Sequence, residues 1–344
     1  MTASLLAGVA SVGLSAAGLS AALVLLLFPL MRRYALARPN ARSSHRVPTP
    51  QGGGIAVLAA MLVTACAGIS VLAPGAISAF IPVAMAAVVL AVIGAFDDIR
   101  PLPVLPRLLF QFGAVALGVA AAGEIRLFPA LLPAPVEFAL VVLAGVWFVN
   151  LVNFMDGLDW ITVAEVAPVT AALALFALLG ALPGDAGLVA IGLCGAMLGF
   201  APFNRPVARL FLGDVGSLPI GLILGFLLYR LAGEGHLTAA LLLPLYYLAD
   251  ATLTLLIRLR RGEKVWQAHR SHFYQRATDN GFTVLEVVGT VFALNLVLAA
   301  LATSAVLAEG ILVPGGLLIA GIIAVAIVLA RFARPRPAVA AGRS

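Results

Sequence analysis

Apolar segments of about 20 residues recur along almost the whole chain, and that recurrence leaves few folds open. A hydrocarbon core roughly 30 Å thick is crossed by about 20 helical residues, and a chain inside it must satisfy its backbone hydrogen bonds internally. Eleven such runs stand at 5–31, 54–73, 77–96, 106–123, 136–153, 161–182, 186–203, 215–231, 237–257, 284–307 and 311–332. Of 344 residues, 62% are hydrophobic and 10% charged, more apolar surface than a water-soluble core can hide. The expected fold class is an all-α integral membrane protein of about eleven transmembrane helices. It forms one polytopic domain over residues 1–334, followed by a disordered Pro, Ala, Gly and Arg tail at 335–344. Residues 124–135, rich in proline, are too short to span and predict a small hairpin or interfacial turn.

Charge placement orients the bundle. With the amino terminus outside, 19 of the 21 Lys and Arg residues fall in connections facing the cytoplasm, leaving Arg126 and Arg230 toward the other side. Positive charge is retained on the inner face during insertion, so the bias fits eleven crossings and a cytoplasmic carboxyl terminus. The basic balance therefore implies no nucleic-acid partner. The first run has no basic residue before it and is too long for a signal-peptide core, so it is expected to stay as a helix. Cys66 and Cys194 lie inside apolar runs and read as small buried thiols, without a disulfide framework or zinc site.

Asp97, Asp98, Asp156, Asp159 and Asp214 each stand at the edge of an apolar run. Carboxylates gathered at one edge of a lipid-embedded bundle are costly unless a cation shares the site, which points to metal and phosphate chemistry. The pair Asp97-Asp98 follows the third run; the alternative is a solvated loop. Asn150, Asn153, Asp156 and Asp159 recur at spacing three after the fifth run, where amides can hold a sugar or base and a carboxylate a hard cation. Asp214, within Gly213-Asp214-Val215-Gly216-Ser217, precedes the eighth run and is either a ligand residue or an ordinary helix cap.

Between the ninth and tenth runs stands His269-Arg270-Ser271-His272, suited to phosphate contacts; no third zinc ligand accompanies the two histidines. The connection 43–54 holds Arg46, a candidate substrate-binding residue, and ends in Gly52-Gly53-Gly54, which could offer donors to an anion or allow tight helix packing. Asp250, inside the ninth run, is either a functional intramembrane acid or a structural partner for a neighbouring Arg or Tyr.

Taken in order, these blocks resemble the polyprenyl-phosphate N-acetylhexosamine-1-phosphate transferase superfamily over about residues 40–276. The superfamily includes enzymes that start O-antigen and enterobacterial common antigen synthesis and the phospho-N-acetylmuramoyl-pentapeptide transferase of peptidoglycan synthesis. Its Asp-Asp pair is matched by Asp97 and Asp98, its Asn-x-x-Asn-x-x-Asp-Gly-x-Asp stretch by Asn150, Asn153, Asp156 and Asp159, and its Gly-Asp-x-Gly-Ser stretch by Gly213, Asp214, Gly216 and Ser217. The resemblance implies metal ligands at Asp156 and Asp214, catalytic roles at Asp97 and Asp98, and substrate contacts from Asn150, Asn153, Asp159, His269, Arg270 and His272. The His-Arg-Ser-His loop is closer to the O-antigen-initiating branch, and Trp160 departs from the Gly that many relatives carry.

The implied reaction joins the sugar phosphate of a UDP-N-acetylhexosamine to undecaprenyl phosphate with release of UMP, using Mg²⁺ or alternatively Mn²⁺. The setting is the bacterial inner membrane with the site toward the cytoplasm, and a homodimer is an allowed assembly. The rival class is an ion-coupled transporter, which predicts acids at mid-bilayer depth and broken helices there.

Overall fold

A computed structural model describes residues 3–37, 48–265 and 269–336 of the chain. Arg46 and residues 337–344 of the tail lie outside that range. The helices are α1 (Ala3–Tyr34), α2 (Gly54–Leu72), α3 (Ile77–Ile99), α4 (Val104–Ala121), α5 (Ala134–Met155), α6 (Ile161–Leu178), α7 (Gly184–Asn204), α8 (Asp214–Gly233), α9 (Leu237–Leu242), α10 (Leu245–Arg260), α11 (Phe273–Asp279), α12 (Val284–Leu307) and α13 (Leu312–Phe332). Two antiparallel two-residue strands, β1 (Leu36–Ala37) and β2 (Thr49–Pro50), flank the first connection.

Among the described residues ten helices, α1 to α8, α12 and α13, are long and apolar enough to cross a membrane. Ten of the eleven runs thus become single spans. The ninth divides into α9 and α10 around Leu243 and Pro244. A proline lacks the N–H and its ring collides with the carbonyl one turn back, so Pro244 interrupts the helix without changing its hydropathy. No hairpin forms at 124–135. Glu137 instead ties an irregular turn by accepting from Arg126 Nε at 2.7 Å and from the N–H groups of Leu127 and Phe128.

Helix α8 is the most enclosed span, whereas α1 and α13 turn most of their surface outward. Around α8 stand α2, α3, α4, α5 and α9. Helices without a hydrophobic force between them in lipid need small residues to approach. At Gly195 and Gly199 of α7 an added Cβ would overlap the backbone carbonyls of Gly13 and Ala17, which is how α1 lies against α7. The same rule seats α2 on α8, where Gly54 meets the backbone of Gly216. The basic residues expected on the opposite side from the acids are neutralised locally, Arg126 by Glu137 and Arg230 by Asp185.

Candidate functional site

The end of α3 and the start of α8 share one junction. Asp98 accepts the backbone N–H of Asp214 at 3.0 Å on Oδ1 and that of Val215 at 3.2 Å on Oδ2. A helix leaves its first N–H groups unpaired, so a carboxylate 116 residues away in sequence caps α8. Gly213 makes the approach feasible: its φ of 78° lies in the left-handed region, and a Cβ there would stand 2.6 Å from Asp98 Oδ2. Gly94 has the matching role on α3, where a side chain would overlap the Asp214 carbonyl. Asp97 is tied differently, accepting Arg107 Nη1 of α4 at 2.8 Å and the Leu102 N–H at 2.6 Å, which sets the α3–α4 corner. Its carboxyl nonetheless lies against that of Asp214.

The block at the end of α5 splits in two directions. Asn153 Nδ2 donates to Asp214 Oδ1 at 2.7 Å and to Ser217 Oγ at 2.9 Å, joining α5 to the first turn of α8. Asn150, one turn earlier and buried, donates to Gln111 Oε1 of α4 at 2.6 Å and to the Val146 carbonyl. Asp156 follows α5 directly and accepts the Thr162 hydroxyl. Burial foremost pushes its carboxyl up to about 7; the Thr162 bond opposes this, and the charges of Asp98 and Asp159 add to it. Asp159 accepts the Ala208 N–H at 2.9 Å. Asp97, Asp98, Asp156, Asp159 and Asp214 therefore gather at one end of the bundle.

Trp160 is the one residue other than glycine with positive φ among the described residues, at 65°. Left-handed backbone favours glycine. Here Trp160 N–H donates to Asn204 Oδ1 at 2.8 Å, and its indole Nε1 donates to the Ala201 carbonyl at 2.6 Å, so the side chain anchors the α5–α6 corner to α7.

The histidine loop docks through α10 and α11. Asp250 is fully buried and accepts the N–H groups of Phe273 at 2.9 Å and Tyr274 at 3.0 Å, the Tyr246 hydroxyl at 3.1 Å and the Thr254 hydroxyl at 3.3 Å. Of the two alternatives for Asp250, the structural partnership holds, with the loop backbone as its main partner. The Tyr274 hydroxyl donates to the Phe154 carbonyl at 3.0 Å and fills the space over Gly157, where a side chain would collide with it. The loop thereby rests on the Asn153–Asp159 block.

The rings of His269 and His272 stack at 4.8 Å, and His269 Nδ1 pairs with Ser271 Oγ at 2.8 Å, a geometry unlike two nitrogens converging on zinc. Burial, then His272 and Arg258, lower the His269 imidazole to about 4. Arg270 pairs with Asp279 at 3.0 Å and with Thr278 Oγ1 at 3.1 Å. The glycines at 52–54 take the packing alternative: Gly53 and Gly54 donate to the carbonyls of Phe211 and Leu212, both at 2.9 Å.

Single-residue inspection of the sequence passes over Gln111, Thr162 and Tyr274. The first two are isolated polar residues in apolar runs, a visible signal, whereas Tyr274 lies in the recognised loop and only the fold reveals its contact.

Fold and residues together define a multi-span helical membrane protein whose acids and histidine loop face one another at one end. Residues 80–232 match the family Glycosyl transferase family 4. The chain is 30% identical over 321 residues to the phospho-N-acetylmuramoyl-pentapeptide-transferase of Synechococcus sp. (strain JA-3-3Ab), covering 84% of this chain and 89% of that one. It is 30% identical over 283 residues to the decaprenyl-phosphate N-acetylglucosaminephosphotransferase of Mycolicibacterium smegmatis, covering 72% and 69%. The probable undecaprenyl-phosphate N-acetylglucosaminyl 1-phosphate transferase of Bacillus subtilis (strain 168) is 24% identical over 307 residues, covering 81% and 83%. The chain belongs to Glycosyl transferase family 4, and the resemblance drawn from its motifs holds.

Proposed function

We propose that the protein transfers N-acetylhexosamine 1-phosphate from a UDP-sugar to undecaprenyl phosphate, releasing UMP and starting a lipid-linked surface glycan such as O-antigen. The observation that carries this is the junction at which Asp98 caps α8 and Asn153 holds Asp214, so that three separate motif blocks meet beside the histidine loop. Relatives acting on polyprenyl phosphates support the general reaction. The acids and most of the basic residues would face the cytoplasm of a bacterial inner membrane.

An oxygen of the lipid phosphate attacks the sugar-bearing phosphorus; a new P–O bond forms and the bridging P–O bond to UMP breaks, with the electron pair leaving on UMP. The lipid phosphate has a second pKa near 6 and is largely dianionic at pH 7, so little proton removal is needed. Asp98 or Asp97 would accept its residual proton, while His269, Arg270 and His272 contact the diphosphate, Asn153 and Asp159 shape the nucleotide-sugar side, and Asn150, expected there from the sequence, is buried against Gln111 and holds α5 behind them. An apolar cavity of about 260 Å³ among α4, α5, α8, α9 and α10, lined by Val119, Trp147, Phe148, Phe226 and Leu248, suits an isoprenoid chain.

Asp156 and Asp214 would hold Mg²⁺ or Mn²⁺. Like-charged carboxylates crowd Asp214, and Arg107, facing the cluster from α4, is bonded to Asp97, so the donor set fits a hard cation. Among the described residues no group of three or more His, Cys, Asp or Glu side chains is placed to hold a metal ion, so an ion held by Asp156 and Asp214 would have to complete its shell from water and substrate phosphate. Bound there, the ion supplies charge neutralisation between two anionic substrates.

Asp250, on which the transporter alternative drew, accepts the first N–H groups of α11 and anchors the histidine loop. The deciding experiment gives purified protein undecaprenyl phosphate, a panel of UDP-sugars and Mg²⁺, and detects UMP. UMP formed only with both substrates and the metal is expected; no UMP with any sugar refutes the proposal.

A further inference from the structure

Away from the acid cluster, α12 and α13 lie side by side and leave a groove of about 640 Å³ along their seam. Gly289, Ala293 and Val297 of α12 line it, with Ala324, Val328 and Arg331 of α13 opposite. Gly289 and Ala293 stand one turn apart and keep the seam open; a Cβ at Gly289 would meet nothing within 4 Å. The stretch from Glu286 to Val297 rises about 16 Å along α12, close to half of a hydrocarbon core roughly 30 Å thick. An acyl chain from one leaflet matches that length.

Glu286 and Arg331 line the same end of the groove, and that end belongs to the acid side of the bundle. Asn280, directly after α11, donates its Nδ2 to the Phe332 carbonyl at 2.7 Å, and the Arg336 N–H donates to the Asn280 carbonyl at 3.0 Å. The turn after the histidine loop is thus tied to the end of α13. Cations exceed anions there. The guanidinium groups of Arg331 and Arg336 stand 5.4 and 4.0 Å from the centre of the Phe282 ring. Arg336 pairs with Glu286 at 2.8 Å, and Asp279 on the adjoining turn pairs with Arg270 at 3.0 Å. Among the described residues neither Arg331 nor Arg334, one turn further on, meets a carboxylate. The ring is therefore shared by two cations with one carboxylate, and a further anion would balance the second.

We propose that the α12–α13 groove binds an anionic phospholipid of the adjoining leaflet, its phosphate held by Arg331 and Arg334 and one acyl chain laid along Gly289, Ala293 and Val297. The planar guanidinium fork suits a phosphate diester. Basic pockets between membrane helices select anionic headgroups, whereas a zwitterionic lipid brings its own cation and gains less from the excess charge. The site lies apart from the reacting groups and does not depend on the reaction assigned above.

The test uses the purified full chain in detergent, titrated separately with dioleoylphosphatidylglycerol and dioleoylphosphatidylcholine. The two lipids share their acyl chains, so a difference between them reads the headgroup. Native mass spectrometry counts retained lipid, and the thermal midpoint without lipid reports the fold. Phosphatidylglycerol should be retained about tenfold more tightly, the worth of one charged hydrogen bond. Arg331→Gln combined with Arg334→Gln should erase that preference. Gly289→Trp places an indole in open space, so the fold should persist while retention of phosphatidylglycerol falls by a similar factor; the arginine variant decides the case by itself if the tryptophan variant does not fold. Equal retention of the two lipids by the wild type would overturn the headgroup site, and a preference that survives the arginine variant would place the lipid elsewhere on the basic rim. A dimeric wild type that becomes monomeric in Gly289→Trp, with lipid retention unchanged, would give the groove to a second copy of the chain instead.

Discussion

The carboxylate of Asp98 reaches the backbone N–H of Asp214 at 3.0 Å, so the acid that ends α3 also caps the helix that presents Asp214. Both oxygens of Asp98 are engaged by α8, the second through Val215. Capping and catalysis are thus joined in one side chain, and substitutions should separate them. Asp98→Ala removes two charge-assisted bonds, each worth about 2 kcal/mol, and should lower the thermal midpoint in detergent as well as abolish transfer. Asp98→Asn keeps one acceptor oxygen but turns an amide N–H₂ toward the other backbone donor, so only part of the lost stability should return, without the activity. Equal melting of the two variants would deny the capping role.

Asp156→Asn and Asp214→Asn should each abolish UMP release while leaving a monodisperse, folded protein. An amide retains the hydrogen bond from Thr162 to residue 156 but removes the charge that a cation requires. Near-normal transfer in either variant would remove that position from the metal assignment.

His269 gives a pH dependence with a definite sign. Its imidazole is lowered to about 4 by burial, then by His272 and Arg258, against weaker opposition from Glu263 and Asp250. At pH 7 the free protein therefore carries it neutral. A diphosphate bound beside it favours the charged form and raises its pKa, so binding takes up a proton in the window between about 4 and the raised value. UDP-sugar affinity should rise as pH falls from 7 toward 5. Calorimetry in two buffers of different ionisation enthalpy should detect the proton, and His269→Gln should eliminate it; an unchanged uptake in that variant would place the titration elsewhere.

Trp160→Gly puts backbone and side chain in opposition. Glycine relieves a left-handed residue by roughly 1–2 kcal/mol, whereas losing the half-buried indole and its bond to Ala201 costs about 3 kcal/mol. The balance should be a modest loss of stability. With the indole turned to α7, the pattern of accepted UDP-sugars should change little; a new preference in the sugar panel would show that the indole reaches the substrate.

These cases also show what a linear sequence can and cannot display. Spans are legible because hydropathy and length decide them, and ten runs become single helices. The break at Pro244 is hidden because α9 and α10 remain one apolar run by composition. The motif acids are visible as ionisable residues at run edges. Asp98 as a cap is not, since its partners lie beyond a hundred residues away and are backbone groups carrying no residue signature. Glu165 is visible as a letter, but only the fold brings Asn295 of α12 to it, at 2.7 Å.

Asp250 makes the same point with a testable consequence. It stands in α10, accepts the first N–H groups of α11, and its Oδ1 lies 3.3 Å from His272 Nδ1. Helix α11 has only seven residues, too few to persist without such an anchor. In Asp250→Asn an amide N–H₂ would replace one acceptor oxygen and face a backbone donor, so at least one of the two caps is lost. A charged hydrogen bond is worth about 1.5–3 kcal/mol, or more than tenfold in affinity, and that is the expected rise in KM for the UDP-sugar. The fall in kcat should be smaller, because the acids at the α3–α8 junction keep their own contacts. Amide hydrogen exchange over 269–279 should accelerate in parallel. A tenfold loss in kcat at unchanged KM, with exchange in the loop unaltered, would instead place Asp250 in the chemistry and not in the holding of the loop.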